Sequence, residues 1–384
     1  MRIALVTESF LPDVNGVAHS VVRTAEHLVR TGHEPIVIAP EPAPGPAPIT
    51  MPYPVVRVPS VPLPGYPQIR LGLPVPALRS AIRSHGAEVV HLASPFVLGA
   101  WARTAAASLG LPTVAIYQTD VAAYARARQL GVCEQLSWRW IRRLHNGASR
   151  TLAPSTESMT ALREHGVERV HLWRRGVDDV RFQPSRRSAG VRRALCRDGE
   201  VLVGFVGRLA VEKEVDLLAG VAALPGVRLV VIGDGPARGM LRRALPTATF
   251  LGARHGSQLA RIYASLDVFA HTGPFETFGQ TVQEAMASGV PVVAPAKGGP
   301  CDLVRDGLTG FLVPPHEAAG FTRAVARLAA DPMLRRAMGQ AGRSAIAGRS
   351  WAAVGDQLLG HYAEVLGGAF PAVPEMSRPQ AAAA

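Results

Sequence analysis

The sequence predicts an α/β fold of two doubly wound parallel sheets in two domains. Three observations carry this reading. Short apolar runs alternate with stretches of helical spacing through residues 1–172, and the same alternation restarts at 201. Between them, residues 182–198 turn polar and basic, with Pro184 and arginines Arg186, Arg187, Arg192, Arg193 and Arg197, a composition shift that marks a boundary. The 384 residues exceed what one core ordinarily encloses. The sequence therefore divides into a first domain over 1–182 and a second over 183–350.

Hydrophobic residues make up 48% of the chain and charged ones 18%, which excludes a disordered polymer. The net charge of +12 suits an anionic partner: nucleic acid, acidic lipid or a phosphorylated substrate. Arginine-rich residue usage accounts for part of that excess. Cys133, Cys196 and Cys301 have no metal-like spacing and fit free thiols in a reducing cytoplasm. Residues 1–10 lack the charged start and apolar core of a signal peptide, and no run reaches the ~20 apolar residues of a membrane span. The expectation is a soluble protein, or one that sits on a membrane without crossing it.

Residues 3–7 read as a buried first strand. The turn Pro12-Asp13-Val14-Asn15-Gly16 follows, then a helix over 17–31 with Val21, Val22, Ala25, Leu28 and Val29 at helical spacing, closed by Gly32. Residues 35–39 make the next strand. This β-α-β unit carries its glycine-bearing loop at the carboxyl end of the first strand, the edge where open parallel sheets bind ligands. The loop is not G-x-G-x-x-G, so Gly16 is either a point of close backbone approach or a plain turn glycine. The proline-dense 40–76 reads as mostly irregular chain near the cleft mouth or as linker, with a strand at 55–58. A helix at 76–84, a strand at 89–92, a helix at 98–109 and a strand at 113–117 continue the alternation. His91, Gln118 and Asp120 fall at strand ends on the same carboxyl edge. In 136–150, Leu136, Trp140, Ile141 and Leu144 can share a helix face beside Arg139, Arg142 and Arg143. That is a core stripe with a solvated rim, or a surface for an anionic membrane. A strand at 151–153, a helix at 156–165 and a strand at 170–172 complete the first half.

Residues 201–206 open the second sheet, with the loop Gly207-Arg208-Leu209-Ala210-Val211-Glu212-Lys213 at their carboxyl end. A helix over 216–223, a strand over 228–232, a tight Gly233-Asp234-Gly235-Pro236 turn and a strand over 249–251 ending at Gly252 follow. A helix over 257–265 leads to a strand over 268–271. A helix over 280–288 closed by Gly289, a buried strand over 290–294 and a strand over 310–313 end the sheet. Helices fill 317–347, an amphipathic helix spans 351–366, and 371–384 reads as a disordered tail.

The chemistry gathers around 207–213 and 270–300. Arg208 and Lys213 stand five apart in one strand-to-helix loop, and both reach a diphosphate, arginine by its fork and lysine as a point charge. Glu276 lies in the loop ahead of the helix at 280, and Glu284 lies on that helix. The N–H groups of Phe278, Gly279 and Gln280 point out of the helix start, where the dipole favours an anion. Solvated glutamates and cations are the plain alternative. Taken together, carboxylates that accept hydroxyls beside a phosphate cradle make a site for a nucleotide diphosphate sugar.

With these motifs in place, the chain resembles glycosyltransferase family 4, of the GT-B fold with two Rossmann-like domains, over nearly its whole length. The resemblance rests on Pro-Asp-Val-Asn-Gly-Val at 12–17, Arg-Gly-Val-Asp at 175–178, Val-Gly-Arg-Leu with Glu-Lys across 206–213, Gly-Asp-Gly-Pro at 233–236, and Glu-Thr-Phe-Gly-Gln with Glu284. The Tyr117-Gln118-Thr119-Asp120 and His271-Thr272-Gly273-Pro274 patches are similar to those of actinobacterial GDP-mannose-dependent α-mannosyltransferases that act on glycolipids.

The resemblance implies that Arg208 and Lys213 hold the diphosphate and that Glu284 bonds the ribose hydroxyls. It implies that Glu276 and the backbone of Thr277, Phe278 and Gly279 hold the transferred sugar. Gly16 approaches the phosphates from the first domain, and the base lies near Gly233 and Gly252. It further implies retention of configuration, no metal or other cofactor, no nucleic acid, and a lipid-linked acceptor met at the cytoplasmic face of an anionic membrane. A terminal segment, 351–370, is expected to pack back on the first domain. Many relatives carry histidine where this chain has Gln118, which is neither acid nor base near neutral pH. Asp120 is the candidate replacement, or else a helix N-cap. Competing expectations are transfer from a UDP-sugar to a small soluble acceptor, a sugar-nucleotide epimerase or phosphorylase on the same plan, and a catalytically silent binder.

Overall fold

A computed structural model describes residues 1–367 apart from 14, 44–49, 64–65, 74–75, 95 and 119–130. Asp120 and the tail at 371–384 lie outside the described residues.

The apolar runs form strands. The first half holds β1 (Arg2–Val6), β2 (Glu34–Pro40), β3 (Val55–Val58), β4 (Ser60–Leu63), β5 (Tyr66–Gly72), β6 (Val89–Leu92), β7 (Thr113–Ile116), β8 (Arg150–Ala153) and β9 (Val170–Leu172). The second holds β10 (Val201–Val206), β11 (Val227–Ile232), β12 (Thr249–Gly252), β13 (Val268–Ala270), β14 (Val292–Pro295) and β15 (Gly310–Val313). Every residue of β6, β7, β10, β13 and β14 is buried. A strand that is apolar on both faces needs cover on both, which helical crossovers between parallel strands supply. One sheet runs β3-β2-β1-β6-β7-β8-β9 and the other β12-β11-β10-β13-β14-β15, with parallel neighbours. The strand order reverses beside β1 in the first sheet and beside β10 in the second. The loops leaving β1, β10 and β13 therefore open at the two switch points, where such sheets leave a crevice.

Three stretches hold elements that the sequence reading did not name. Among the described residues of the proline-dense 40–76, most are in strands, because β3 joins the first sheet there and β4 and β5 pair antiparallel. A two-stranded ribbon is all edge, so Pro62 and Pro67 sit in it without costing a sheet interior its hydrogen bonds. The basic boundary stretch holds a helix, Ala189–Leu195, whose Val191 and Leu195 pack on the second core. Arg187 just ahead of it and Arg192 within it reach Asp267 at 3.0 and 2.8 Å, so both arginines tie this stretch to the second domain. The helix expected over 216–223 is a 3-10 turn, Val215–Leu218, continued by the short helix Ala219–Ala222.

On the helix Gly131–Asn146, Trp138, Ile141 and Leu144 are buried, whereas Leu136 and Trp140 are 56% and 44% exposed. The four apolar residues grouped from the sequence thus divide between two faces. Leu136 and Trp140 stand one turn apart on the outer one, with Arg139, Arg142 and Arg143 exposed around them.

The helix Trp351–Val365 returns to the first half and packs on the helix Gly16–Arg30. Trp173 Nε1 donates to the carbonyl of Val354 at 3.0 Å. Tyr362 is fully buried, and its hydroxyl lies 2.6 Å from His91 Nδ1. His91 is therefore a core residue and not part of the cleft edge; burial pushes its pKa down to about 3, so the ring is neutral. Tyr362→Phe keeps the ring and orphans the buried imidazole, and it is expected to cost about 1–3 kcal/mol in a denaturant titration. An unchanged midpoint contradicts that role for the hydroxyl. Where the chain passes between halves, Val177 N–H donates to the carbonyl of Arg349 at 2.9 Å, so the two passages lie side by side.

Candidate active site

The loops after β10 and β13 meet at Lys213. A 3-10 turn, Val211–Lys213, turns the lysine inward, and Thr272 Oγ1 donates to its carbonyl at 2.6 Å. Gly273 makes room, because a Cβ there would lie 2.9 Å from Lys213 Cδ. The ammonium Nζ then stands 2.7 Å from Glu276 Oε2. His271 is buried behind the pair, with Nε2 at 3.9 Å from the same oxygen. Burial alone would raise the Glu276 carboxyl, but Lys213, His271 and Arg175 outweigh it and hold the pKa down to about 2. The His271 ring is pushed down to about 4, first by burial, and is neutral at pH 7. The loop thus presents an ionised carboxylate beside a cation across the working pH range.

Glu276 leads into the helix Gln280–Ala287. Its N-cap is Gly279 at φ 90°, a left-handed position open to glycine, and no side chain caps the helix start. The first-turn N–H groups thus have no side-chain cap, and the dipole there favours an anion. Phe278 is buried, so only its backbone serves the cleft. Thr277 Oγ1 donates to the carbonyl of Gln118 at 3.2 Å and links the two halves. Glu284 is half-buried on the helix beside Tyr263 and Gln280. Burial raises its carboxyl to about 7, against the pull of those neighbours and of Arg181.

Arg208 is exposed and pairs with Glu212 one turn on, so it reaches solvent at the mouth of the site. Gly233 lies at the end of β11 with φ 145°, and a Cβ there would meet the carbonyl oxygen of Gly207 at 1.8 Å. Bare backbone therefore lines that end of the sheet. Gly252 ends β12 alongside, and its carbonyl accepts from Gly233 N–H at 3.0 Å.

On the first-domain side, Gly16 opens its helix, and Asn15 caps it by accepting from Val17 and Ala18 N–H. A Cβ on Gly16 would stand 3.0 Å from Arg175 Nη1, so the glycine makes room for that guanidinium. Gln118 is buried with both ends of its amide engaged. Nε2 donates to the carbonyl of Ala93 at 2.7 Å, and Oε1 accepts from Arg175 Nη2.

Lys213 and Glu276 are thus brought together, Thr277, Phe278 and Gly279 lead from them to the helix start, and Glu284 lies one turn into that helix. Gly16 and Gln118 face them from the other half, and Arg208, Gly233 and Gly252 flank them. Two residues at this centre went unassigned from the sequence. Arg175 is the first residue of the Arg-Gly-Val-Asp motif, and His271 opens the His-Thr-Gly-Pro patch; each motif was visible, but the burial of its polar head was not.

Residues 14–181 match the family model Glycosyltransferase Family 4, and 192–345 match Glycosyl transferases group 1. A GDP-mannose-dependent alpha-mannosyltransferase of Mycobacterium tuberculosis is 50% identical over 96% of this chain and 97% of its own. The protein of that name from Corynebacterium glutamicum is 44% identical over 95% of this chain and 89% of its own. Among solved structures, a sucrose-phosphate synthase from Thermosynechococcus elongatus superposes with a TM-score of 0.80 at 23% identity, covering 95% of this chain and 99% of that one. Anabaena HepE with UDP and glucose superposes with a TM-score of 0.76 at 22% identity, covering 94% and 99%. With two parallel-sheet domains, a returning terminal helix and these matches, the chain belongs to the family 4 glycosyltransferases of the GT-B fold.

Proposed function

We propose that the protein transfers mannose from GDP-mannose, with retention of configuration, to a hydroxyl of a glycolipid at the cytoplasmic face of the membrane. The observation that carries this is the Lys213–Glu276 pair at 2.7 Å beside the uncapped helix start at Gly279, which joins cation, carboxylate and open N–H groups at one switch point. The sugar and the nucleotide come from the names of relatives that are 44–50% identical.

Breaking the anomeric bond leaves negative charge on the diphosphate and positive charge on the sugar. Lys213, Arg208 and the helix start oppose the first. The acceptor oxygen bonds the anomeric carbon on the face from which the diphosphate departs, and its proton passes to the departing phosphate oxygen. That route needs no protein base, which accommodates Gln118. Two cations do the work a divalent ion does elsewhere, so turnover is expected to survive excess chelator. Among the described residues, no group of three or more His, Cys, Asp or Glu could hold a metal ion. Loss of activity in chelator, restored by magnesium or manganese, contradicts this part.

The nucleotide is tested by thermal shift with GDP, UDP, ADP and their hexoses. A ligand at 100 times its Kd stabilises by about 2.7 kcal/mol. GDP-mannose is expected to give the largest shift, and a larger one for a UDP-sugar overturns the donor assignment. Glu284 adds a pH signature. Ribose hydroxyls bond the ionised carboxylate better than the acid, and burial pushes the Glu284 carboxyl up to about 7. Donor affinity should therefore rise as pH increases through about 7, with protons released on binding below it. Affinity that is flat between about pH 6 and 8 separates Glu284 from the ribose.

The exposed Leu136 and Trp140, ringed by Arg139, Arg142 and Arg143, support docking on an anionic bilayer. Co-sedimentation with phosphatidylglycerol vesicles should weaken with salt and in Trp140→Ala. Equal binding to neutral vesicles contradicts it.

A further inference from the structure

Arg175 is 8% exposed, yet its side chain bonds neutral oxygens: the carbonyl of Gly16 through Nη1 at 2.8 Å, and Gln118 Oε1 through Nη2. A buried cation is costly, and a hydrophobic residue would fill the volume at less expense. The reason for it lies in what else meets there. The carbonyl of Arg175 accepts from Gln283 Nε2 at 3.3 Å, and the carbonyl of Gly176 accepts from Gln280 Nε2 at 3.2 Å. Both glutamines stand on the helix Gln280–Ala287, whose start forms the anion cradle. Thr277 Oγ1, just ahead of that helix, donates back to the carbonyl of Gln118 at 3.2 Å. The contacts close a ring: Arg175 to Gln118, Gln118 to Thr277, Thr277 along the helix to Gln283, and Gln283 to Arg175. The ring joins the chain following β7 and β9 of the first sheet to the loop and helix that follow β13 of the second. The guanidinium is also close enough to Glu276 for each charge to favour the other.

We propose that Arg175 is a positioning residue for transfer, holding Gln118 and the Gly16 helix start against the loop at 276–279. The acceptor side of the cleft is thereby kept in register with the bound hexose. Lysine keeps the charge, but it cannot span two acceptors in the fixed fork of a guanidinium. The inference rests on the transferase reading and not on which sugar is moved. It is tested with whichever sugar nucleotide the parental enzyme turns over, so a wrong donor assignment leaves this test standing.

The experiment compares Arg175→Lys, Gln118→Ala and the double variant, each checked for folding by its melting curve. Measured are kcat and donor KM for transfer, and the share of donor lost to water. Arg175→Lys is expected to lower kcat about thirtyfold while donor KM stays within about threefold, because the donor contacts remain while the acceptor is misplaced. The hydrolysed share should rise about tenfold. Gln118→Ala leaves the Gly16 bond and the charge in place and should show the same split at about tenfold. The double variant should be little slower than Arg175→Lys alone, because both substitutions break one ring. Should the Arg175 variants fail to fold, Gln118→Ala alone decides by its kcat and hydrolysed share. Parental kcat in Arg175→Lys or in a folded Gln118→Ala, losses confined to donor KM, or losses that multiply in the double variant each overturn the proposal.

Discussion

Lys213→Ala is expected to lower turnover roughly 10²–10³-fold while the protein stays folded, the loss typical of one preorganised group facing developing charge. Its ammonium lies 2.7 Å from Glu276 and is half-buried, so its field acts through little water. When the diphosphate departs, the same ammonium is on hand to meet its growing charge. Arg208 is more exposed and already shares Glu212, so Arg208→Ala should cost less, about tenfold. The lysine variant should also change pH behaviour. Lys213 is the largest of the influences that lower the Glu276 carboxyl, which otherwise feels burial most. With Lys213 present, a carboxyl depressed from 4.5 to about 2 adds stability above its unfolded value, and that stability is lost as pH falls toward 2. Without Lys213, Glu276 should titrate higher, and the acid limb of the kcat/KM profile should move up with it. Near-parental turnover in Lys213→Ala and Arg208→Ala together would remove the diphosphate assignment.

Glu276→Gln preserves volume and removes the charge. It is expected to lower turnover about 10²-fold or more, with GDP affinity at or slightly above the parental value because Lys213 no longer shares its charge with a carboxylate. The loss should fall on kcat/KM for the sugar nucleotide and not on inhibition by free GDP. Parental kcat/KM in this variant separates Glu276 from the hexose.

Much of this was readable from residues, for physical reasons that differ by element. The central strands were legible because a parallel strand buried on both faces must be apolar throughout, as in β10 and β14. The β4–β5 ribbon was not, since proline argues against a strand except where a sheet is all edge, as it is there. On the helix Gly131–Asn146 the apolar spacing was clear, but Trp138, Ile141 and Leu144 set one face and Leu136 and Trp140 another, and only packing tells them apart. The site divides in the same way. Glu276 and Glu284 stood out because one loop and the helix it leads into carry both, and Lys213 because it shares a strand-to-helix loop with Arg208; the contact of Lys213 with Glu276, 63 residues on, comes from the fold. Arg175 was not, because arginine ordinarily reads as solvated and its acceptors Gly16 and Gln118 lie 159 and 57 residues away. His271 was hidden likewise, since nothing local announces that a strand-end imidazole will sit behind the key carboxylate.

In the proposed site Lys213 and the helix start hold the diphosphate while Glu276 holds the hexose of the same donor. The most direct measurement is calorimetric titration of the parental protein and of Glu276→Gln with GDP and with GDP-mannose. The expected result is tighter binding of GDP-mannose than of GDP by the parent, with that hexose increment abolished in Glu276→Gln and GDP affinity retained. If GDP-mannose keeps its full advantage over GDP in Glu276→Gln, the hexose does not sit where this site places it.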